Sequence, residues 1–296
     1  MAIRYNAGEI ITAMVTPFKE NYEVDYEALE KLVNHLIKTG SDSILVAGTT
    51  GECPTLTHEE EWDVLKFVLK TVNGRAKVIM GTGSNSTETA VMTAKKAEEL
   101  GADAILTVVP YYNKPNQRGM IAHFSAVAEA VKLPIILYNI PGRTGVNMQP
   151  ATVSELAKKY SNIVAIKQSN GDLDLISEMK NVCPNDFIIY SGDDSLTLPM
   201  MSLGVFGVIS VASHVVGTEM KEMIKLFKKG DNAAALGKHL QLFPIFKKLF
   251  MCPSPAPVKD MLSKMGIIKN VLRLPLVNMT DAEKAEFYSV ADKYLK

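Results

Sequence analysis

Short runs of apolar, mostly β-branched residues alternate with longer amphipathic segments along this chain of 296 residues. Eight runs have strand length, and most lack a polar alternate face, as expected for strands covered on both sides. They span residues 10–14, 43–47, 78–80, 104–108, 134–138, 164–167, 187–190 and 206–210. Parallel strands joined by crossover helices produce this pattern, and eight repeats predict closure into a (β/α)₈ TIM barrel.

Helical signals lie between the runs. In the first connecting segment, Asp25 is placed as an N-cap before apolar residues at the i, i+3, i+4, i+7, i+8 spacing. These residues are Leu29, Leu32, Val33, Leu36 and Ile37. Thr57 and Glu60 have the spacing of a capping box, which places residues 48–56 in the loop after the second strand.

After the eighth run only helical segments remain, interrupted by a proline-rich stretch at 253–257. We therefore expect an α/β chain with a (β/α)₈ catalytic barrel over residues 1–216 and a C-terminal helical extension over 217–296 that packs on the barrel. The alternative is an open, doubly wound sheet. Such a sheet usually has a glycine fingerprint at its first βα turn, and the chain has none there.

Bulk properties exclude several classes of protein. Lysine and arginine total 32, as do aspartate and glutamate, so no net charge attracts nucleic acid or an anionic membrane. The cysteines Cys53, Cys183 and Cys252 are odd in number and widely spaced, which fits neither a disulfide framework nor a zinc site and favours a reducing cytoplasm. Arg4 and Glu9 interrupt the N-terminal segment where a signal peptide needs an apolar core.

Reactive groups of a barrel lie at the C-terminal ends of its strands and in the loops that follow. Lys167 ends the sixth run, where burial is expected to lower its pKa and make the amine nucleophilic. A structural salt bridge with a neighbouring acid such as Asp193 explains the position equally well. Tyr138 ends the fifth run and is a candidate proton carrier, although a tyrosine at a strand end is more often a packing residue.

Two loops have groups suited to a carboxylate. Thr49 and Thr50, between two glycines, offer hydroxyls and backbone amides, or form only a turn and cap. Arg143 is suited to bidentate binding of a carboxylate, although most loop arginines are only solvated. Competing motifs are weak, because the chain lacks a complete dinucleotide fingerprint, a phosphate loop, zinc-ligand spacing among its histidines and a Gly-x-Ser-x-Gly elbow.

Seven strings, in order along nearly the whole chain, resemble the dihydrodipicolinate synthase family. They are GTTGE (48–52), YYNKP (111–115), YNIPGRTG (138–145), AIKQS (165–169), SGDD (191–194), GVISV (207–211) and PSPAPVK (253–259). The resemblance implies condensation of pyruvate with L-aspartate 4-semialdehyde to 4-hydroxy-tetrahydrodipicolinate, in diaminopimelate and lysine biosynthesis. It implies no cofactor and no metal, because an imine on the lysine is itself the electron sink.

The resemblance also implies roles for individual residues. Lys167 forms the imine with pyruvate, and Tyr138 relays protons with Thr49 and Tyr112. The positions that bind substrate are Thr50, Gly192 and Ile209 for pyruvate and Arg143 for the carboxylate of the semialdehyde. The family further implies a homotetramer of tight dimers, in which Tyr112 completes the site of the neighbouring subunit.

Two other functions stay open on the sequence alone. An N-acetylneuraminate lyase or a keto-deoxy sugar acid aldolase shares the lysine and the tyrosine, but usually has an apolar residue where Arg143 stands. A catalytically silent barrel that only binds a ligand is the second. Lysine-inhibited members of the family have a histidine where this chain has Glu61 and an acid where it has Thr89, so we expect weak or absent inhibition by lysine.

Overall fold

The computed structural model describes residues 3–295. Its strands are β1 (Ile10–Ala13), β2 (Ser43–Val46), β3 (Lys77–Gly81), β4 (Ala104–Val108), β5 (Ile135–Asn139), β6 (Ile163–Gln168), β7 (Ile188–Ser191) and β8 (Gly207–Ser210). They form a closed barrel in sequence order. All eight predicted strands are present, and each boundary agrees with the prediction to within one residue. The predicted barrel is therefore confirmed, and the open sheet is excluded.

The helices are α1 (Tyr26–Lys38), α2 (His58–Val72), α3 (Thr87–Leu100), α4 (Gln117–Ala130), α5 (Pro141–Thr144), α6 (Pro150–Lys159), α7 (Leu173–Val182), α8 (Thr197–Met201), α9 (Ser213–Lys228), α10 (Asn232–Lys248), α11 (Ala256–Lys264) and α12 (Asp281–Ala291). Both predicted N-terminal caps are confirmed. The Asp25 side chain accepts from the amide of Ala28, and Thr57 forms the capping box with Glu60. Residues 48–56 form two short 3₁₀ turns between β2 and α2.

The backbone divides into two units. The first contains Ile79–Ile209 and residues 3–8, with the strands β4 to β7 paired in parallel. In its register, Tyr138 of β5 pairs with Lys167 of β6, and Lys167 pairs with Tyr190 of β7. Adjacent parallel strands therefore place the two predicted reactive side chains beside each other.

The second unit contains Glu9–Val78 and the chain from Ser210 onward, with β1 and β2 paired in parallel. Helices α9 to α12 lie in this unit. The proline-rich stretch at 253–257 interrupts the helical segments as expected, since α10 ends at Lys248 and α11 begins at Ala256, within the stretch. Helix α9 begins at Ser213, four residues before the predicted helical start, and Val216 interrupts it with non-helical dihedral angles. A barrel over 1–216 with a separate extension over 217–296 stays a prediction.

Gly217 explains how α9 packs in its unit. A β-carbon at this position would lie 2.7 Å from the carbonyl oxygen of Thr39, so only glycine allows the helix to approach the end of α1 this closely. None of the helices among residues 3–295 is both long and apolar enough for a membrane span.

Candidate active site

Lys167 and Tyr138 are in direct contact. The Lys167 Nζ lies 4.3 Å from the centroid of the Tyr138 ring, and the two residues are only 7% and 6% exposed. Strands β5 and β6 set this geometry through their register, because paired residues of adjacent strands project to the same face. Within residues 3–295 the Tyr138 hydroxyl has no hydrogen-bond partner, which leaves it available to a reacting group.

The salt-bridge interpretation of Lys167 is wrong. Within the described chain Lys167 belongs to no ion pair, and the side chain of Asp193 is used elsewhere. Its Oδ1 accepts hydrogen bonds from the amide and the hydroxyl of Ser195, at 3.0 and 2.9 Å, and so caps the short turn before α8. The amine is therefore buried beside an aromatic ring without a neutralising carboxylate among the described residues.

Gly192 leaves the space beside the amine. A β-carbon there would lie 1.8 Å from the Ser169 Oγ and 2.9 Å from the Lys167 Cε. Its amide donates to the Gln168 carbonyl oxygen at 2.8 Å, which holds the backbone of the β7 loop close to β6. Ser169 is a neighbour that the sequence interpretation missed. Its hydroxyl is buried without a hydrogen-bond partner among the described residues.

A buried amide network supports the loop that follows β5. Asn139 is fully buried, its Nδ2 donates to the Asn147 Oδ1 at 2.7 Å and to the Gln168 Oε1 at 3.1 Å, and its Oδ1 accepts from the amide of Met148 at 3.1 Å. These bonds hold both ends of the loop at residues 140–147 against β6. No role was assigned to Asn139 from the sequence, because its partners Asn147, Met148 and Gln168 are recognised only in the structure.

Arg143 is in that loop, on the one-turn helix α5, which ends at Gly145 with a left-handed φ of 73°. The residue is exposed, and its guanidinium has no hydrogen bond or ion pair with the residues that the structure describes. An unpaired guanidinium on a loop fixed at both ends is suited to bind a carboxylate from solution.

Tyr112 and Ile209 differ sharply in exposure. Tyr112, in the loop after β4, is 88% exposed and has a left-handed φ of 71°. A bulky residue rarely adopts this conformation, and the exposure leaves the ring without packing in its own chain. Ile209, on β8, is 1% exposed, and β8 pairs with β7 through Ser191 and Val208, one residue before Gly192.

The hydroxyl loop, residues 48–51, belongs to the second unit. Thr49 is exposed and Thr50 is buried, and neither hydroxyl is bonded to a residue that the structure describes. Two left-handed residues flank the loop, Ala47 with φ 51° and Glu52 with φ 58°. Such conformations cost about 1–3 kcal/mol each in non-glycine residues and are enriched at ligand-binding sites.

Two cysteine thiols are poor candidates for the nucleophile. Burial raises the pKa of the Cys53 thiol to about 12, so the reactive thiolate is scarce at neutral pH. Burial also raises the pKa of Cys183 to about 11. No cluster of three or more histidine, cysteine and acidic side chains occurs within residues 3–295.

A sequence model of the dihydrodipicolinate synthetase family matches residues 6–293. The chain belongs to this family. The 4-hydroxy-tetrahydrodipicolinate synthases of Desulforamulus reducens and Bacillus subtilis are 50% and 49% identical to it. The aligned regions cover 93% of this chain and of the first relative, and 96% of this chain and 98% of the second.

Solved structures of the family have the same fold. The dihydrodipicolinate synthase from Cyanidioschyzon merolae, crystallised with lysine bound, superposes with a TM-score of 0.95 at 46% identity. The alignment covers 97% of both chains. Because these relatives are synthases and are similar to this chain over nearly its full length, the sialic acid lyase and sugar acid aldolase alternatives are not favoured.

Glu61, at a position that the family resemblance associates with inhibition by lysine, is buried on α2. Its Oε2 lies 3.0 Å from the Nδ1 of His58, and desolvation raises the pKa of the carboxyl while the histidine opposes the rise. The acid is therefore satisfied by a neighbour one helical turn away. The expected weakness of lysine inhibition stays a prediction.

Proposed function

We propose that this member of the dihydrodipicolinate synthetase family condenses pyruvate with L-aspartate 4-semialdehyde through an imine on Lys167. The observation that carries the proposal is the buried amine of Lys167 against the ring of Tyr138, without a carboxylate partner among the described residues. A buried amine that is not held in an ion pair can, once deprotonated, attack a carbonyl carbon.

The reaction follows from this amine. The Lys167 Nζ adds to the keto carbon of pyruvate to give a carbinolamine, whose hydroxyl leaves as water when it is protonated. Loss of a proton from the methyl group of the imine gives an enamine, and its carbon attacks the aldehyde of the semialdehyde. The amino group of the semialdehyde then displaces Lys167 from the imine carbon and closes the ring of 4-hydroxy-tetrahydrodipicolinate.

Proton transfer is assigned to three hydroxyl groups. Tyr138 is assigned to protonate the departing hydroxyl of the carbinolamine, and the contact between its ring and the amine supports this role. Thr49 and Tyr112 are assigned to the same relay by the family resemblance. The unbonded hydroxyl of Thr49 and the exposed ring of Tyr112 support this assignment, since neither group is committed to packing.

Substrate binding is assigned to four further residues. Thr50 and Ile209 contact pyruvate, and Gly192 leaves room for it beside the amine, as the absence of a side chain next to Lys167 supports. Arg143 holds the carboxylate of the semialdehyde by charge-assisted hydrogen bonds. The exposed, unpaired guanidinium on the loop supported by Asn139 favours this role.

A coupled assay with both substrates tests these roles. Lys167→Ala should abolish turnover, a loss of a thousandfold or more, because the covalent intermediate is lost. Arg143→Ala should lower kcat/KM for the semialdehyde about ten- to hundredfold, the worth of a hydrogen bond to a charged group, and leave the pyruvate KM unchanged. Arg118→Ala is the matched control, since Arg118 is an exposed arginine on α4.

Borohydride with pyruvate tests the imine itself. Reduction should add the mass of a reduced pyruvyl group to the peptide that contains Lys167, and Lys167→Ala should gain none. Failure of the wild-type protein to gain this mass would refute the imine and leave a barrel that only binds its ligand.

We also propose a homotetramer of tight dimers in the cytoplasm, with Tyr112 completing the neighbouring subunit's site. The exposed, left-handed Tyr112 supports the assembly, and three unpaired cysteines support a reducing compartment. Mixing inactive Lys167→Ala and Tyr112→Phe subunits should restore up to about a quarter of the wild-type activity, since in mixed dimers one site regains both residues. No recovery in mixed oligomers would contradict the shared site, and cell fractionation tests the compartment.

A further inference from the structure

A buried ion pair joins the C-terminal helices to the hydroxyl loop within the second unit. The Nζ of Lys259, on α11, bonds to the Oε1 of Glu52, and both side chains are completely excluded from solvent. Glu52 directly follows the loop that contains Thr49 and Thr50. Neither charged residue has a role in the reaction described above.

Every remaining polar group of the pair has a partner. The Lys259 Nζ also donates to the carbonyl oxygen of Val271 at 2.8 Å and lies 4.2 Å from the centroid of the Phe18 ring. The second oxygen of Glu52 accepts from the amide of Arg273 at 3.0 Å. Burial lowers the pKa of Lys259 to about 8 against the opposing effect of Glu52, which leaves the ammonium mostly charged at neutral pH.

Stability alone is a poor reason for such a pair. Taking two charges out of water costs several kcal/mol per ion, and well-packed apolar residues often replace buried ion pairs without loss of stability. A charged pair can still fix one geometry where an apolar contact would permit several. The residues next to Glu52 in the chain indicate that the geometry in question is that of the hydroxyl loop.

Glu52 is the anchor of the hydroxyl loop. Its backbone has a left-handed φ of 58°, and its amide donates to the carbonyl oxygen of Thr49 at 3.0 Å. One residue earlier, the Gly51 carbonyl oxygen accepts from the Thr16 hydroxyl at 2.7 Å. A strained residue keeps its conformation only where its surroundings over-determine it, and the buried carboxylate supplies that constraint.

We infer that the Lys259–Glu52 pair is a positioning device that holds the hydroxyls of Thr49 and Thr50 in their working pose. Helix α11, which contains Lys259, thereby affects pyruvate binding without contacting the substrate. The inference rests on the roles proposed above for Thr49 and Thr50. Because a displacement of about 1 Å in a catalytic group can cost about a hundredfold in rate, a loosened loop should be visible in the kinetics.

Two variants distinguish the effect of an unpaired buried charge on stability from the effect of loop position on the kinetics. Lys259→Met leaves Glu52 buried without a partner, so both thermal stability and kcat/KM for pyruvate should fall, the latter about tenfold or more. The double variant Glu52→Gln with Lys259→Met removes both charges. It should regain much of the thermal stability, while kcat/KM for pyruvate stays low and the semialdehyde KM stays within about twofold of wild type.

Imine trapping gives a readout independent of turnover. In the double variant, the pyruvate concentration that half-saturates borohydride trapping at Lys167 should rise about tenfold. Lys264→Met is the matched control, because Lys264 lies on the same helix in an exposed ion pair with Asp292 at 2.8 Å. It should change neither trapping nor kinetics.

The outcomes distinguish a failure of the inference about the ion pair from a failure of the roles proposed for Thr49 and Thr50. Recovery of both stability and pyruvate kinetics in the double variant would show that the pair is only structural and would overturn the inference. Thr49→Val and Thr50→Val with wild-type pyruvate kinetics would refute the role of the hydroxyl loop, and this inference with it. Impaired threonine variants beside an unimpaired double variant would refute the inference alone. If Lys259→Met does not fold, the double variant decides the question.

Discussion

Gly192 is the residue on which the space beside Lys167 depends. The alanine variant would place its β-carbon 1.8 Å from the Ser169 hydroxyl and 2.9 Å from the Lys167 Cε, both too close for unshifted atoms. Gly192→Ala should therefore displace the amine and lower kcat/KM for pyruvate about a hundredfold. Steady-state kinetics check this, with Gly237→Ala as the control because its β-carbon would meet no atom within 4 Å. Wild-type kinetics in Gly192→Ala would contradict the crowding argument.

A second prediction for a single residue concerns Glu61 and inhibition by lysine. Its carboxylate is paired with His58 at 3.0 Å. The family resemblance implies a histidine at this position in lysine-inhibited members. We expect weak or absent inhibition when lysine is titrated into the steady-state assay at subsaturating pyruvate. Glu61→His combined with Thr89→Glu should increase sensitivity. An inhibition constant in the micromolar range for the wild-type protein would contradict the prediction.

Secondary structure elements were largely predictable from the sequence. Strand boundaries agree to within one residue because the strands are buried on both faces and bounded by polar turns, and the caps at Asp25 and Thr57 follow from local spacing. The contacts between elements were not predictable. Lys259 and Glu52 are separated by 207 positions, and no local pattern relates two residues so far apart.

The loop after β5 shows the same limit within the active site. Its sequence offered Arg143 as a candidate carboxylate ligand, and the family resemblance implied that role, which stays a prediction. The residue that supports the loop, Asn139, had no distinguishing pattern, because a buried asparagine at a strand end is recognised only from its partners at Asn147, Met148 and Gln168.

Asn139→Ala tests the support of this loop. The substitution removes the hydrogen bonds to Asn147 and Gln168 and leaves the amide of Met148 unpaired. The loop that contains Arg143 therefore loses the hydrogen bonds that hold its two ends. We expect the semialdehyde KM to rise about tenfold, with imine trapping by borohydride changed less than about twofold. Equal losses in both measurements would indicate general disruption of β5. Asn34→Ala, on the exposed surface of α1, is the matched control.

At the scale of the whole molecule, two buried histidines couple global stability to pH. His214 is fully buried in the second unit, where its Nδ1–H donates to the carbonyl oxygen of Val211 at 2.8 Å and its Nε2 accepts from the amide of Val15 at 3.2 Å. These bonds fix the neutral tautomer, since a second proton would point at the Val15 N–H. Burial lowers the pKa of His214 to about 4, and burial likewise lowers that of His123 to about 4.

The sign of the effect follows from proton binding. An unfolded histidine has a pKa of about 6.5, so between pH 6.5 and 4 the unfolded chain binds more protons than the folded one. The stabilisation is therefore fully present above pH 6.5 and is lost as the pH falls toward 4. The free energy of unfolding should decrease by about 1.4 kcal/mol per pH unit for each histidine over this window. The two histidines together should give about twice that slope.

Urea unfolding at pH 7.5, 6.0 and 5.0, at one fixed protein concentration, measures this dependence. His214→Gln should be less stable than wild type at pH 7.5, because the glutamine side chain cannot reproduce the geometry of both hydrogen bonds to the backbone at Val211 and Val15. Its free energy of unfolding should nevertheless depend less steeply on pH, by about 1.4 kcal/mol per unit, because the titrating group is gone. The difference in slope is independent of the absolute stability. Parallel curves for the two proteins would show that His214 titrates alike in both states, and would contradict the argument from its buried tautomer.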